Sequence, residues 1–146
     1  MKVKDCMCKQ VYYCEPNCTV LDCARIMNDK HVGCIAICNV NKNVVGIVTD
    51  RDIVLRCVAN KKNAEETKIS DIMSTNICCC SPEEDINEVE NNMSKIQVKR
   101  IPVINDSDEF VGMVSLKDLA IHNEVSQERI GYTVEKICSE DKNNCF

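Results

Sequence analysis

The chain lacks a net positive charge, a long apolar run and an export signal, and each absence excludes a class of protein. Its 18 Lys and Arg against 23 Asp and Glu give a net charge of −5, whereas nucleic-acid binding needs a basic field. No apolar run approaches the ~20 residues of a membrane span, and the start MKVKDCMCKQ has no apolar signal-peptide core. We therefore expect a cytoplasmic protein that binds neither nucleic acid nor membrane.

Catalytic motifs are missing as well. The sequence contains no Gly-rich phosphate loop, no G-x-S-x-G and no metal-binding His pair. Its two histidines, His31 and His122, are interpreted as surface or helix-end residues. We expect that the protein is not an enzyme and carries no cofactor.

Cysteine is abundant, with 13 residues, but the arrangement does not favour disulfides or metal. The count is odd, no export signal is present, and no CxxC pair occurs. Cys78, Cys79 and Cys80 on a strand would alternate between two faces and could not close around one ion. Cys23, in a helical stripe with Val20 and Met27, behaves as a small apolar residue. No metal site is predicted, and a thiol or metal sensor is the weakest of three functional hypotheses.

The chain repeats itself at an offset of 66 residues. VKDCM (3–7) aligns with ISDIM (69–73), CIAICN (34–39) with RIPVIN (100–105), and VVGIVTDRDIVL (44–55) with FVGMVSLKDLAI (110–121). A match at one offset over more than fifty residues indicates tandem copies.

Each copy has the pattern strand–helix–strand–strand–helix. The strands are predicted at 11–14, 34–38 and 44–48, and again at 77–80, 101–104 and 110–114, with helices that begin at Thr49 and Ser115. Each copy is too small to bury both faces of its sheet alone. The predicted fold class is therefore α/β, with two copies packed sheet-to-sheet in pseudo-twofold symmetry.

The boundaries follow from the repeat. Residues 1–60 form the first repeat, 61–68 a polar linker and 69–122 the second repeat. Residues 123–146 are a charged tail, predicted to be helical at most as far as about Ile137.

The junction between the last strand and helix is written twice, as GIVTDRD (46–52) and GMVSLKD (112–118). Thr49-x-x-Asp52 and Ser115-x-x-Asp118 match a capping box, which is a purely structural role. However, a helix start after a strand also binds anions, and a carboxylate there can accept from ribose hydroxyls. Gly46 and Gly112, inside the strands, are interpreted as points where another group approaches closely.

These paired motifs, with KRIPVIN in the second copy, resemble the tandem CBS-domain (Bateman module) family, in particular its short stand-alone bacterial members. The resemblance covers about residues 1–122. It implies two clefts between the copies that bind adenosine-containing ligands such as AMP, ADP or ATP, a regulatory rather than catalytic role, an unidentified regulated protein, and a homodimer. A structural protein-interaction module with vestigial clefts is the alternative.

The resemblance also implies the site residues. Asp52 would hold the ribose and Thr49 a phosphate in the first cleft. The full set for that cleft is Ile47, Thr49, Asp52, Cys78, Lys99, Arg100 and Lys117. The second cleft would consist of Met113, Ser115, Asp118, Tyr12, Gly33, Cys34 and Arg51. Because KRIP in the second copy is replaced by GCIA in the first, the two clefts are expected to differ in affinity.

The helices that begin at Thr49 and Ser115 carry more apolar residues than one inward stripe needs. These residues are Ile53, Val54, Leu55 and Val58 in the first copy and Leu119, Ala120 and Ile121 in the second. An exposed apolar remainder marks an interface and supports the homodimer.

Overall fold

The computed structural model describes residues 1–122 and 125–139, which form two compact units. The first-repeat unit comprises Tyr12–Ile77 and Ser107–Phe110. The second-repeat unit comprises Met1–Val11, Cys78–Asp106 and the described part of Val111–Phe146, so it includes the first helix of the chain, α1 (Val3–Cys6). Each unit therefore contains the opening segment of the other repeat. No described helix combines the length and the apolar character needed to span a membrane.

The first-repeat unit contains a three-stranded sheet in the order β1–β2–β3. Strand β1 (Tyr13–Cys14) runs parallel to β2 (Cys34–Cys38), which is antiparallel to β3 (Val44–Thr49). Helix α2 (Val20–Lys30) connects β1 and β2. After β3, a short α3 (Asp50–Asp52) continues into a π-helical stretch (Ile53–Val58), and a 3₁₀ turn follows at Ile69–Asp71.

The second-repeat unit has the same order of elements except that its first strand is not formed. Helix α4 (Ile86–Ile96) precedes β4 (Arg100–Ile104) and β5 (Phe110–Ser115), which pair in a two-stranded sheet. Helix α5 (Leu116–Ile121) follows β5, and α6 (Gln127–Cys138) completes the described chain.

Local sequence explains where the long helices begin and end. Thr19 caps α2 in a capping box with Asp22, and Asp85 accepts from the Asn87 N–H at the start of α4. Both helices end on a left-handed residue, His31 and Gln97, which lie 66 positions apart. His31 is therefore a helix-end residue, as predicted.

Cysteines contribute to both cores as small apolar side chains. Twelve cysteines are described, and all are free thiols. Cys14, Cys23 and Cys57 lie in the core of the first-repeat unit. Cys6 and Cys80 lie in the core of the second. Burial raises the pKa of the Cys80 thiol to about 12, so this thiol is protonated at neutral pH and is a poor nucleophile or metal ligand.

The predicted α/β class with two repeats is confirmed, and most strand positions agree within one residue. The first strand of each repeat was predicted too long. Only Tyr13 and Cys14 of 11–14 are strand, and 77–80 retains a single bridge, Cys80 to Val103. Pro102 explains the difference between the repeats, because it has no N–H to donate to a neighbouring strand, whereas the matching Ala36 does.

The predicted tail is partly described. Helix α6 ends at Cys138, one residue beyond the predicted limit. Residues 123–124 and 140–146 of the predicted tail lie outside the described residues. The predicted division at 60, 68 and 122 refers to units of sequence and stays a prediction.

A buried carboxylate fixes α6 to the second repeat. Glu90 on α4 is 2% exposed and accepts from Thr133 Oγ1 at 2.8 Å. Its other oxygen lies 2.9 Å from Arg129 Nη2. Thr133 is also buried, and Gln97 Nε2 donates to the Lys136 carbonyl nearby. Because burying a charge is costly unless it is paired, this network makes the docking of α6 specific.

We expect Glu90→Ala to lower the free energy of unfolding by about 2–4 kcal/mol, because it leaves the Thr133 hydroxyl and the Arg129 guanidinium without their acceptor. Urea denaturation provides the measurement. Glu88→Ala, at an exposed position of the same helix, is the control and should cost less than about 1 kcal/mol. Equal effects of the two variants would contradict a special role for Glu90.

Candidate functional site

The first junction is a closed capping box at the end of β3. Thr49 Oγ1 accepts from the Asp52 N–H at 3.1 Å, and Asp52 Oδ2 accepts from the Thr49 N–H at 2.9 Å. Both side chains are partly buried. In this arrangement Thr49 uses its oxygen as an acceptor, so its O–H remains a potential donor, and Asp52 keeps Oδ1 as an acceptor.

The second junction has the same box with one additional bond. Asp118 Oδ2 accepts from the Ser115 N–H at 2.8 Å, and Ser115 Oγ accepts from the Asp118 N–H at 3.3 Å. In addition, the Ser115 hydroxyl donates to Asp118 Oδ2 at 2.5 Å. The hydrogen that Thr49 could offer to a ligand is therefore already donated within the protein at Ser115.

The start of β2 lies beside the first junction. Cys34 pairs with Thr49, and the Asp50 N–H donates to the Gly33 carbonyl at 3.0 Å. The Asp50 carboxylate lies over Gly33, since a Cβ on Gly33 would be only 3.1 Å from Asp50 Oδ2. Two carboxylates, Asp50 and Asp52, thus lie close to this junction with the exposed Arg51.

The start of β4 lies beside the second junction in the same way. The Leu116 N–H donates to the Lys99 carbonyl at 3.0 Å. Lys99, Arg100 and Lys117 are all exposed, and Leu116 occupies the position of Asp50. The segments that meet at this junction therefore carry three exposed cations, whereas the first junction has a second carboxylate, Asp50.

The structure brings the predicted residues together within each repeat. The first-repeat unit contains, at its junction and the adjacent start of β2, the predicted residues Ile47, Thr49, Arg51, Asp52, Gly33 and Cys34. The second-repeat unit contains, at its junction and the adjacent start of β4, the predicted residues Met113, Ser115, Lys117, Asp118, Lys99 and Arg100. The two predicted clefts combine residues of both units, and those combinations stay predictions.

Two residues of the predicted clefts already have partners in the protein. The Tyr12 ring, half-buried, has Lys30 Nζ 5.4 Å from its centroid, a cation–π distance. Cys78 is half-buried, with its thiol 4.0 Å from the Cys79 carbonyl. A ligand that used either side chain would have to pack beside these existing contacts.

The backbones of Ile47 and Met113 are also engaged. Ile47 exchanges two hydrogen bonds of 2.9 Å with Ser74, and Met113 exchanges bonds of 2.9 and 3.0 Å with Cys8. The N–H groups of these two residues are therefore not available to a ligand, and each carbonyl already accepts one bond.

Another group does approach each strand glycine closely, as predicted, and it belongs to the protein rather than to a ligand. A Cβ at Gly46 would lie 2.2 Å from Met73 Sδ, and one at Gly112 would lie 2.7 Å from Met7 Sδ. The group that approaches closely is thus a methionine of the protein in both repeats. The glycines are required for packing, and the functional argument depends on the hydroxyl–aspartate pair alone.

Sequence reasoning also missed Arg56. Its Nη2 lies 3.7 Å from Asp52 Oδ1, the oxygen that the capping box leaves open. The i,i+4 spacing of Asp52 and Arg56 on a predicted helix was a signal that could have identified it.

We expect Gly46→Ala to destabilise the fold by about 1–3 kcal/mol, because the new methyl group overlaps Met73 and forces it to move. Gly131→Ala is a matched control with the opposite sign. Gly131 lies inside α6 with nothing within 4 Å of the added Cβ, so alanine should stabilise by about 0.5–1 kcal/mol. Thermal or urea unfolding of the two variants measures both effects, and a neutral Gly46→Ala would contradict the packing role.

Comparison with known proteins gives consistent results. The family model for the CBS domain matches this chain twice, at residues 3–58 and 69–122. The CBS domain-containing protein YhcV of Bacillus subtilis (strain 168) is 35% identical over 136 residues, which cover 92% of this chain and 94% of YhcV.

Two similar solved structures contain bound ions or ligands. Hypoxic Response Protein I with two coordinated zinc ions has a TM-score of 0.77 and 28% identity, covering 84% of this chain and 98% of its own. The CBS domain pair of protein MJ0100, in complex with 5-methylthioadenosine and S-adenosyl-L-methionine, has a TM-score of 0.74 and 28% identity, covering 82% and 93%. Within residues 1–122 and 125–139 of the present chain, no group of three or more His, Cys, Asp or Glu side chains is arranged to hold a metal ion.

Proposed function

We propose that this chain, which belongs to the CBS domain family, is a regulatory module that binds an adenosine-containing ligand at its hydroxyl–aspartate junctions. The observation that carries the proposal is the first junction, where a partly buried carboxylate and hydroxyl are held 3 residues apart by reciprocal bonds. The carboxylate can accept from ribose hydroxyls while the threonine hydroxyl donates to a phosphate. The complex of the MJ0100 pair with two adenosine compounds supports this choice of ligand class.

The chemistry that the junctions offer supports a regulatory role. A capping hydroxyl and a capping carboxylate supply hydrogen bonds but neither an activated nucleophile nor a proton-transfer pair. Such a site binds and releases its ligand unchanged, so the ligand acts by stabilising the folded, ligand-bound form. A protein that senses this form in the cytoplasm is the proposed regulated partner.

A thermal-shift panel tests ligand binding. AMP, ADP, ATP and S-adenosylmethionine are added separately to the reduced protein at millimolar concentration. A ligand at about 100 times its Kd adds roughly 2.7 kcal/mol to the folded state. For a chain of this size that corresponds to a rise in Tm of roughly 5–10 °C. A change below about one degree with every compound would reject the proposal in favour of an interaction module with vestigial clefts.

The same proposal predicts that the two junctions differ. Only Thr49 has a hydroxyl hydrogen that the capping box does not use, whereas Ser115 donates to Asp118. A hydrogen bond to a phosphate is worth about 1.5–3 kcal/mol, or roughly ten- to a hundredfold in Kd. We expect Asp52→Asn to remove the tighter binding phase in calorimetry and Asp118→Asn to remove the weaker one. Asparagine is used because its side-chain oxygen can still close the capping box.

The control for the loss of a charge is Asp29→Asn, at an exposed position of α2, which should leave both phases in place. Loss of the tight phase in Asp118→Asn alone would show that the second junction is the stronger site.

We also propose a homodimer formed through the apolar residues that follow the first junction. Val54, Leu55 and Val58 in the π-helical stretch are 55%, 49% and 64% exposed. Light scattering should give twice the 16.5 kDa mass of one chain, and Val58→Glu should shift the protein towards monomer, because it places a charge in an apolar interface. Val40→Glu is the matched control, at a turn position that is 85% exposed. A monomeric native protein at micromolar concentration would contradict the dimer.

A further inference from the structure

Arg56 connects the first junction to a segment that follows the linker. Its Nη1 donates to the Ile72 carbonyl at 2.9 Å and to Ser74 Oγ at 3.2 Å. Its Nη2 faces Asp52 Oδ1 at 3.7 Å. The guanidinium is planar and has five donors in fixed directions. With Nη1 held by two acceptors, the position of Nη2 is set by the protein rather than by a freely moving side chain.

The distance to Asp52 is informative. The 3.7 Å between Nη2 and Oδ1 exceeds the 2.7–3.2 Å typical of a direct N–H···O bond. Arg56 therefore attracts Oδ1 electrostatically but does not donate a hydrogen bond to it. Asp52 Oδ2 is held by the Thr49 N–H at 2.9 Å. The carboxylate is thus oriented from two sides. The Asp52 side chain is 17% exposed, and Oδ1 remains available to accept a hydrogen bond from a ligand.

In the second repeat the corresponding carboxylate, Asp118, is oriented by different groups. The position that matches Arg56 at the offset of 66 is His122. Among the described residues no cation lies within 4.0 Å of the Asp118 carboxylate, which is instead held by the Ser115 N–H and hydroxyl. Arg56 therefore performs at the first junction the orienting role that the serine hydroxyl performs at the second, and it leaves the Thr49 hydroxyl free of that task.

We propose that Arg56 is a positioning residue of the first ligand site, which holds Asp52 in the orientation that accepts the two hydroxyls of a ribose. This inference rests on the proposed function. It assigns Arg56 no contact with the ligand. Its effect should consequently depend on the ribose hydroxyls and should be independent of the phosphate.

The test compares AMP with 2′,3′-dideoxy-AMP, which lacks the two ribose hydroxyls but keeps the phosphate and the base. Calorimetry on the full chain gives both Kd values. We expect the native protein to bind AMP at least about tenfold more tightly than the dideoxy analogue. The affinity ratio is the Kd of the dideoxy analogue divided by the Kd of AMP. Arg56→Met should reduce this ratio about fivefold or more, while the Kd of the dideoxy analogue changes less than about twofold.

Three further variants make the result specific. Arg25→Met, at an exposed position of α2, should leave the ratio unchanged. Arg56→Lys keeps the charge but cannot hold Ile72, Ser74 and Asp52 together, so it should lose most of the ratio. Ser74→Ala removes one anchor of the guanidinium without changing any charge, and its backbone bonds to Ile47 remain. It should lower the ratio to a smaller extent, and it replaces Arg56→Met if that variant does not fold.

The outcomes separate this inference from the proposed function. If the native protein binds AMP no better than the dideoxy analogue, or binds neither, then the ribose role of Asp52 is wrong. The role of Arg56 is then wrong as well. If the native ratio is high and Arg56→Met and Ser74→Ala leave it unchanged, only the role of Arg56 is wrong. Equal weakening of both ligands, or full rescue by Arg56→Lys, would also overturn the positioning role, because those results indicate general packing or charge alone.

Discussion

The contact between a methionine and a strand glycine is the constraint on which both repeats depend. In each unit the last strand has a glycine in its middle, and the sulfur of a methionine fills the space where a Cβ would be. The methionine comes from the opening segment of the other repeat, since Met73 lies in the first-repeat unit and Met7 in the second. The same segments add backbone bonds, at Ser74 and Cys8. Neither repeat is therefore complete as a continuous stretch of sequence, which accounts for the occurrence of the motif as a tandem pair.

The parts of the fold that the sequence predicted are those governed by local chemistry. Strands β2 and β3 follow from apolar runs that end at turns, and the capping boxes at Thr49 and Ser115 follow from a spacing of three residues. The exchange of opening segments could not be predicted in the same way, because VKDCM and ISDIM carry no local sign of their distant partners. The shortened strand at 77–80 depends on Pro102, which lies more than twenty residues away along the chain. The buried Glu90 on α4 depends on α6, whose residues have no counterpart in the first repeat.

Helix stability and the proposed ligand binding use different atoms of the same junction. The helix start consumes the Thr49 and Asp52 N–H groups, the threonine oxygen and Asp52 Oδ2. The threonine hydrogen and Asp52 Oδ1 are not part of the box and remain for another partner. For this reason a capping box and a ligand site are compatible interpretations of one motif, and the presence of a good cap does not argue against binding. It does mean that truncation of Asp52 to alanine would mix a loss of helix stability, worth about 0.5–2 kcal/mol at a cap, with any loss of ligand.

The two copies differ most in how they hold that shared carboxylate. At Asp118 a serine supplies both the capping oxygen and a donated hydrogen, so the carboxylate is satisfied locally. At Asp52 the orienting group is a guanidinium anchored on Ile72 and Ser74, beside the methionine that fills the space above Gly46. A displacement of the opening segment would therefore move Arg56 and change the environment of Asp52, whereas Asp118 has no such link through its own contacts. A change in the Met73 segment would consequently alter the proposed ligand site at the first junction but not the one at the second. The sequence repeat does not reveal this difference, because the position that matches Arg56 is a histidine.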